Sequence, residues 1–206
     1  LSLMGWPGLN SAGAILFSGF PATAIVLIAV NTLLSAAAAA LVALVITQIR
    51  FTKPDASLTA NGWVAGLVAS SAVSAFVTPA WSLAIGIVAG ALVPITVGFS
   101  ESRLRLDDPG GAISVHALAG IWGLLALGIV GCFPLDGSGQ WLAQVVGVAT
   151  LVGFVLPLTY LLNWLLNRIS PQRVEAEGER MGMDLHELGA GAYPEFVVHS
   201  DESFER

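Results

Sequence analysis

One side chain inside the apolar part of this sequence is of a type that can exchange a proton near neutral pH. His116 lies in Ile113-Ser114-Val115-His116-Ala117-Leu118-Ala119-Gly120. A neutral imidazole carries one donor and one acceptor. It can relay a proton, hold a small polar solute, or bond a neighbouring helix for packing alone. Other groups that could do chemistry are sparse. Gly5-Trp6-Pro7-Gly8-Leu9-Asn10 sets an indole, a proline and two glycines in an apolar run, and Asn31-Thr32 puts an amide beside a hydroxyl. Pro7 removes a helix hydrogen bond, so the segment is expected to kink or break. Asn31 is expected to bond across helices as structural glue. Asp107-Asp108-Pro109 places acids before a proline, which suits a helix N-terminus.

These residues form no nucleophile–base constellation, no Gly-rich phosphate loop and no Cys/His metal spacing. No enzyme is expected, and no cofactor or metal. Cys132 is the single cysteine, so no intrachain disulfide can form, and it reads as a small buried apolar residue. His186 and His199 fall in a polar tail and are expected to be solvated.

The elements that must position these groups follow from composition. The chain has 206 residues, 55% hydrophobic and 11% charged, and its mean hydropathy is +0.80. Soluble domains carry about twice that charged fraction. A disordered chain, a nucleic-acid binder and an ordinary soluble globule are excluded; an integral membrane protein remains. Residues 1–169 carry no net charge, so the formal −6 belongs to the tail, residues 170–206. Such a tail is repelled by anionic headgroups. It is expected to hang in water or dock on protein. The chain starts at Leu1, inside an apolar stretch, with no signal peptide pattern; it reads as a piece of something longer.

Charges divide the chain into uncharged blocks, and a spanning helix needs about 20 apolar residues. The expected spans are a partial one at 1–19, then 22–49, 59–78, 81–100, 110–133 and 141–167. That is an all-α integral membrane bundle with five complete helices and one partial helix, followed by the acidic tail. Two spans separate Arg50/Lys53 from Arg103/Arg105, and two more separate these from Arg168/Arg173. All three clusters therefore share one face, which the positive-inside rule makes cytoplasmic, C-terminus included. Trp81 and Trp141 fall at the opposite ends of spans, as interfacial anchors should. Ala36–Ala40, Gly62-x-x-x-Gly66 and Gly86-x-x-x-Gly90 predict a tight bundle. His116 lies about 9 Å into its span at 1.5 Å per residue, where a polar group must face the bundle interior or a cavity.

Asp107-Asp108-Pro109 running through Gly110-Gly111-Ala112-Ile113-Ser114-Val115-His116 resembles the signature of ammonium transporters, the Amt/Mep/Rh family. Ala119-Gly120-Ile121-Trp122-Gly123, Phe51-Thr52-Lys53-Pro54, Asn61-Gly62 with Ala65-Gly66-Leu67-Val68, Asn31-Thr32 and the tail from Gly182-Met183-Asp184 to Ala192-Tyr193-Pro194 extend it over essentially the whole chain. The resemblance implies eleven helices in two inverted repeats of five plus a final long helix, assembled as a homotrimer in the plasma membrane. This chain would match the end of the sixth helix through the eleventh and the cytoplasmic tail. The missing first-repeat half would then be a partner.

It further implies that His116 is the second histidine of a twin pair. Trp6 and Leu9 would line the ammonia path, with Leu9 where the family has a gate phenylalanine. Gly13 falls at the serine of the ion-recruitment site. Ala117 replaces the glycine after the histidine, and Leu188-Gly189-Ala190 replaces His-Gly-Glu. Asp107, Asp108 and Asn31 take structural roles. Ammonium or ammonia, the lipid bilayer and a PII-type signal protein at the tail are the implied partners, without nucleic acid. Leu9 and Gly13 also motivate a second reading, a non-conducting ammonium sensor or degenerate homologue.

Overall fold

The computed structural model describes residues 2–106, 108, 110–131 and 139–189. Leu1, Asp107, Pro109, Cys132, residues 133–138, and residues 190–206 with His199 lie outside the described residues. The chain forms two compact units, Leu1–Leu151 and Val152–Arg206.

All regular structure among the described residues is helical. In the first unit α1 is Ser2–Ser18, with Pro7 inside it; α2 is Ile25–Phe51; α3 is Ala56–Val73; α4 is Pro79–Phe99. A wide, π-helical segment Ala112–Leu118 leads into α5, Ala119–Val130, and α6 is Gln140–Thr150. The second unit holds α7, Leu156–Ile169, and the short α8, Ala176–Met181. Among the described residues, four stretches are long and apolar enough to cross a membrane: Ala22–Phe51, Pro79–Leu104, Ala112–Val130 and Gln140–Ile169. The apolar core joins α3, α4 and α5 through Ala65, Ala69, Val73, Ile85, Ala89, Ala119 and Ala126, with Val115 from the segment before α5.

Small residues decide how closely the backbones approach. A Cβ on Gly62 would lie 2.5 Å from Ala43 Cβ, and one on Gly66 would lie 2.5 Å from Ser35 O and 2.7 Å from Ala36 Cα. A Cβ on Gly86 would meet Ser35, 2.8 Å from its Cα, and one on Gly90 would meet Ala39, 2.6 Å from its Cα. Thus α2 runs antiparallel to α3 and parallel to α4, with Ser35, Ala36, Ala39 and Ala43 wedged between two glycine pairs. Gly123 does the same for α5, where a Cβ would sit 2.5 Å from Ala69 O.

Close approach brings carbonyls within reach of neighbouring side chains. Ser35 Oγ donates to Gly66 O at 2.8 Å, Ser82 Oγ to Asn31 O at 2.6 Å, and Trp122 Nε1 to Ile85 O at 3.0 Å. The fully buried Asn31 donates from Nδ2 to Ser74 O and Val77 O, both at 2.8 Å. It thereby ties α2 to the turn between α3 and α4. At the other end of α3, Asp55 accepts from Leu58 N at 2.8 Å as the N-cap.

In the second unit, Arg173 pairs with Glu179 at 2.6 and 3.1 Å. That pairing raises the arginine pKa and holds the glutamate below its ordinary value. Gly178 has no room for a side chain beneath the His186 ring, whose Cδ2 would lie 2.7 Å from an added Cβ.

Gly90→Val should lower the stability of the detergent-solubilised protein by about 1–3 kcal/mol or more, because the added atoms meet backbone. Gly147→Ala adds a Cβ that meets nothing within 4 Å and should leave it unchanged. Thermal unfolding followed by tryptophan fluorescence compares the two.

Candidate functional site

His116 sits in the wide turn that precedes α5. Its surroundings begin at Asp108, which is buried although it carries a charge. Asp108 Oδ1 accepts from Ile113 N at 3.1 Å, and Oδ2 accepts from Ser114 N at 2.9 Å and Ser114 Oγ at 2.8 Å. Burial alone would raise its pKa. The bonds from Ser114 and Ile113 outweigh that and hold the carboxyl below the ordinary aspartate value. Gly111 N closes the turn on Asp108 O at 3.1 Å. Gly111 adopts φ +69°, a left-handed conformation that favours glycine. Its carbonyl accepts from both Val115 N at 2.9 Å and His116 N at 3.1 Å. One acceptor shared between the fourth and fifth residues on is where the helix widens.

In this turn Ser114 and Val115 are buried while His116 and Ala117 are exposed. Among the described residues the imidazole has no hydrogen-bond partner. Within this chain, then, His116 lies on an uncovered face and not between packed helices.

Trp6 donates from Nε1 to Ser71 Oγ at 2.8 Å, anchoring α1 to α3. One turn on, Asn10 Nδ2 donates to Thr32 Oγ1 at 2.9 Å and Ser70 Oγ at 3.4 Å. Leu9 is 65% exposed. Gly13 is half-buried, and a Cβ there would meet nothing within 4 Å. The helix α5 runs parallel to α3, since Gly111 faces Asn61 and Gly120 faces Val68. That places His116 level with about Ala65, roughly 9 Å along α3 from the Trp6 bond at Ser71. Trp6 and His116 therefore occupy successive levels beside α3 and share no bond.

Beyond the start of α3, a cavity of about 640 Å³ opens among Arg50, Asp55, Asn61, Pro94, Glu101 and Asp108. Arg50 Nη1 crosses it to donate to Pro94 O at 3.3 Å. Sequence reasoning passed over Ser71, Ser70 and Ser114, the hydroxyl partners of Trp6, Asn10 and Asp108. Their signal is a hydroxyl within an apolar helix, which is common and unspecific.

The fold and the site define a membrane helical bundle that carries one imidazole within its apolar spans, on an uncovered face. A sequence model described as "Ammonium Transporter Family" matches residues 1–193. The "Ammonium transporter Amt2" of Archaeoglobus fulgidus is 38% identical over 213 residues, covering 96% of this chain and 45% of that protein. The "Ammonium transporter" of Bacillus subtilis is 31% identical over 200 residues, covering 92% of this chain and 48% of that one. A solved chain named "Sensor Amt Protein" matches with a TM-score of 0.79 at 31% identity, covering 90% of this chain and 46% of its own. The chain belongs to the ammonium transporter family and is an integral membrane protein. It spans about half the length of the curated relatives it matches.

A carboxylate whose folded pKa lies below its unfolded value stabilises the fold above the ordinary aspartate pKa of about 3.9. That contribution is lost as pH falls through the folded value. The stability of the wild type should therefore drop on acidification below about pH 4. Asp108→Asn should be less stable at neutral pH and show a shallower fall. Unfolding midpoints between pH 7 and pH 2 for the two proteins test this.

Proposed function

We propose that this chain carries half of a path for ammonium or ammonia across the membrane, as part of a complete transporter. The observation that carries this reading is His116: an imidazole on an uncovered face of a membrane helix, without a partner among the described residues, in a chain of the ammonium transporter family. Ammonium is strongly disfavoured in hydrocarbon, whereas neutral ammonia is far less so. A histidine can hydrogen-bond ammonia and accept or return its proton. Trp6 and Leu9 would line the same path, and apolar Leu9 would help exclude hydrated cations. The unpacked space at Gly13 is compatible with a recruitment position that has lost its hydroxyl.

The reading includes a cytoplasmic C-terminus in the plasma membrane, spans at the boundaries derived from the charges, and a homotrimer. It also includes a covering half equivalent to the first repeat, and a PII-type protein at the tail. The likeness to the chain named "Sensor Amt Protein" supports a second reading, in which the protein binds ammonium without conducting it. Leu9 and Gly13 point the same way.

The mass of the native protein comes first. About 21.3 kDa means that the other half of the path must come from a separate chain, and roughly twice that means one polypeptide holds both. In liposomes containing the native assembly, His116→Ala should abolish ammonium flux. Unchanged flux would remove His116 from the path, and saturable ammonium binding without flux in the wild type would favour the sensor.

A further inference from the structure

A regular α-helix would not leave His116 where it is. Residues seven apart on an α-helix lie within about 20° of each other. His116 is seven residues before the buried Gly123 and three before the buried Ala119. Regular winding would therefore turn the imidazole into the stripe that packs on α3 and α4. The wide turn Ala112–Leu118 adds a residue to this circuit, so Ser114 and Val115 take the buried positions and His116 faces outward. Ser114 lies within this turn. It is fully buried, and both its N–H and its hydroxyl donate to Asp108 Oδ2. Without the hydroxyl, a buried carboxylate oxygen loses a charge-assisted bond, which costs more than losing a neutral one.

We propose that Ser114, acting through Asp108, is a positioning residue that keeps the turn wide and so directs His116 onto the face where the path would run. This rests on the transport reading above.

The test uses structures and liposome flux of the complete native protein carrying Ser114→Ala or Ser114→Thr. In Ser114→Ala, residues 112–118 should rewind and the imidazole turn by about 100°, one residue of α-helix, toward Ala119. Flux should fall by roughly ten- to a hundredfold, the scale of a misplaced group. Ser114→Thr keeps the hydroxyl and should keep both the turn and the flux. A Ser114→Ala structure with the wide turn and His116 unmoved overturns the proposal, as does a Thr variant that rewinds like Ala. If the Ala protein does not fold, Ser114→Cys, similar in size and a weaker donor, is read by the same two criteria. If His116 rotates while both Ser114→Ala and His116→Ala retain full flux, positioning stands and the transport role of His116 fails.

Discussion

The fold depends on how closely three helix backbones approach along α2. In lipid there is no hydrophobic force between helices, so association rests on dispersion and interhelical hydrogen bonds. Dispersion falls steeply with small gaps. Glycine pairs on α3 and α4 remove the side chains that would hold Ser35, Ala36, Ala39 and Ala43 away. Only at that separation can Ser35 reach the Gly66 carbonyl, Ser82 the Asn31 carbonyl and Asn31 the carbonyls of Ser74 and Val77. With α3 and α4 so fixed, α5 has a surface to dock on, through Gly123 against Ala69 and Trp122 on Ile85 O. The wide turn before α5, with His116, inherits its place from that docking.

A second constraint is local. A buried carboxylate in a membrane protein must be fully bonded, and Asp108 finds three donors in the first residues of the helix it precedes. A regular first turn does not bring Ser114 and Ile113 to it while Gly111 accepts from both Val115 and His116. Left-handed Gly111 makes the sharp turn, and Val115 occupies the space its Cβ would need. The acid thus does more than complement a helix dipole, because its bonds set the winding and hence the direction of the histidine.

Much of this was legible in the residues. Charged clusters at Arg50/Lys53, Arg103/Arg105 and Arg168/Arg173 delimit the apolar helices because a charge inside hydrocarbon is costly. Alanine runs and spaced glycines announced close packing, since only small residues permit it. The family was legible in the segment from Asp107 to His116. What was hidden depends on register. Periodicity assumes 3.6 residues per turn, so a wide turn at 112–118 is invisible to it, and the outward His116 cannot be read from Ala119 and Gly123. The bonds of Trp6 to Ser71 and Asn10 to Thr32 were hidden for another reason. They join residues 65 and 22 positions apart, and nothing local in either segment names its partner.

The polar groups of the first unit differ in their surroundings, and two buried atoms, Ser11 Oγ and Asn31 Oδ1, have no hydrogen-bond partner among the described residues. Asn10, Thr32, Ser35, Ser70, Ser82 and Ser114 are buried and bonded to carbonyls, hydroxyls or a carboxylate within the chain. These are what a bilayer solvent demands, since a hydrocarbon neighbour cannot replace water. His116 is of the other kind: uncovered, held outward by a turn that departs from regular winding, and without a partner in the described chain. An imidazole kept that way against lipid would be a standing cost with nothing to offset it. Against protein, water or a passing ammonia molecule it has both a donor and an acceptor to offer. The departure from regular winding at Ala112–Leu118 is intelligible if the face it exposes meets one of these and not acyl chains, which is the arrangement a transport path requires.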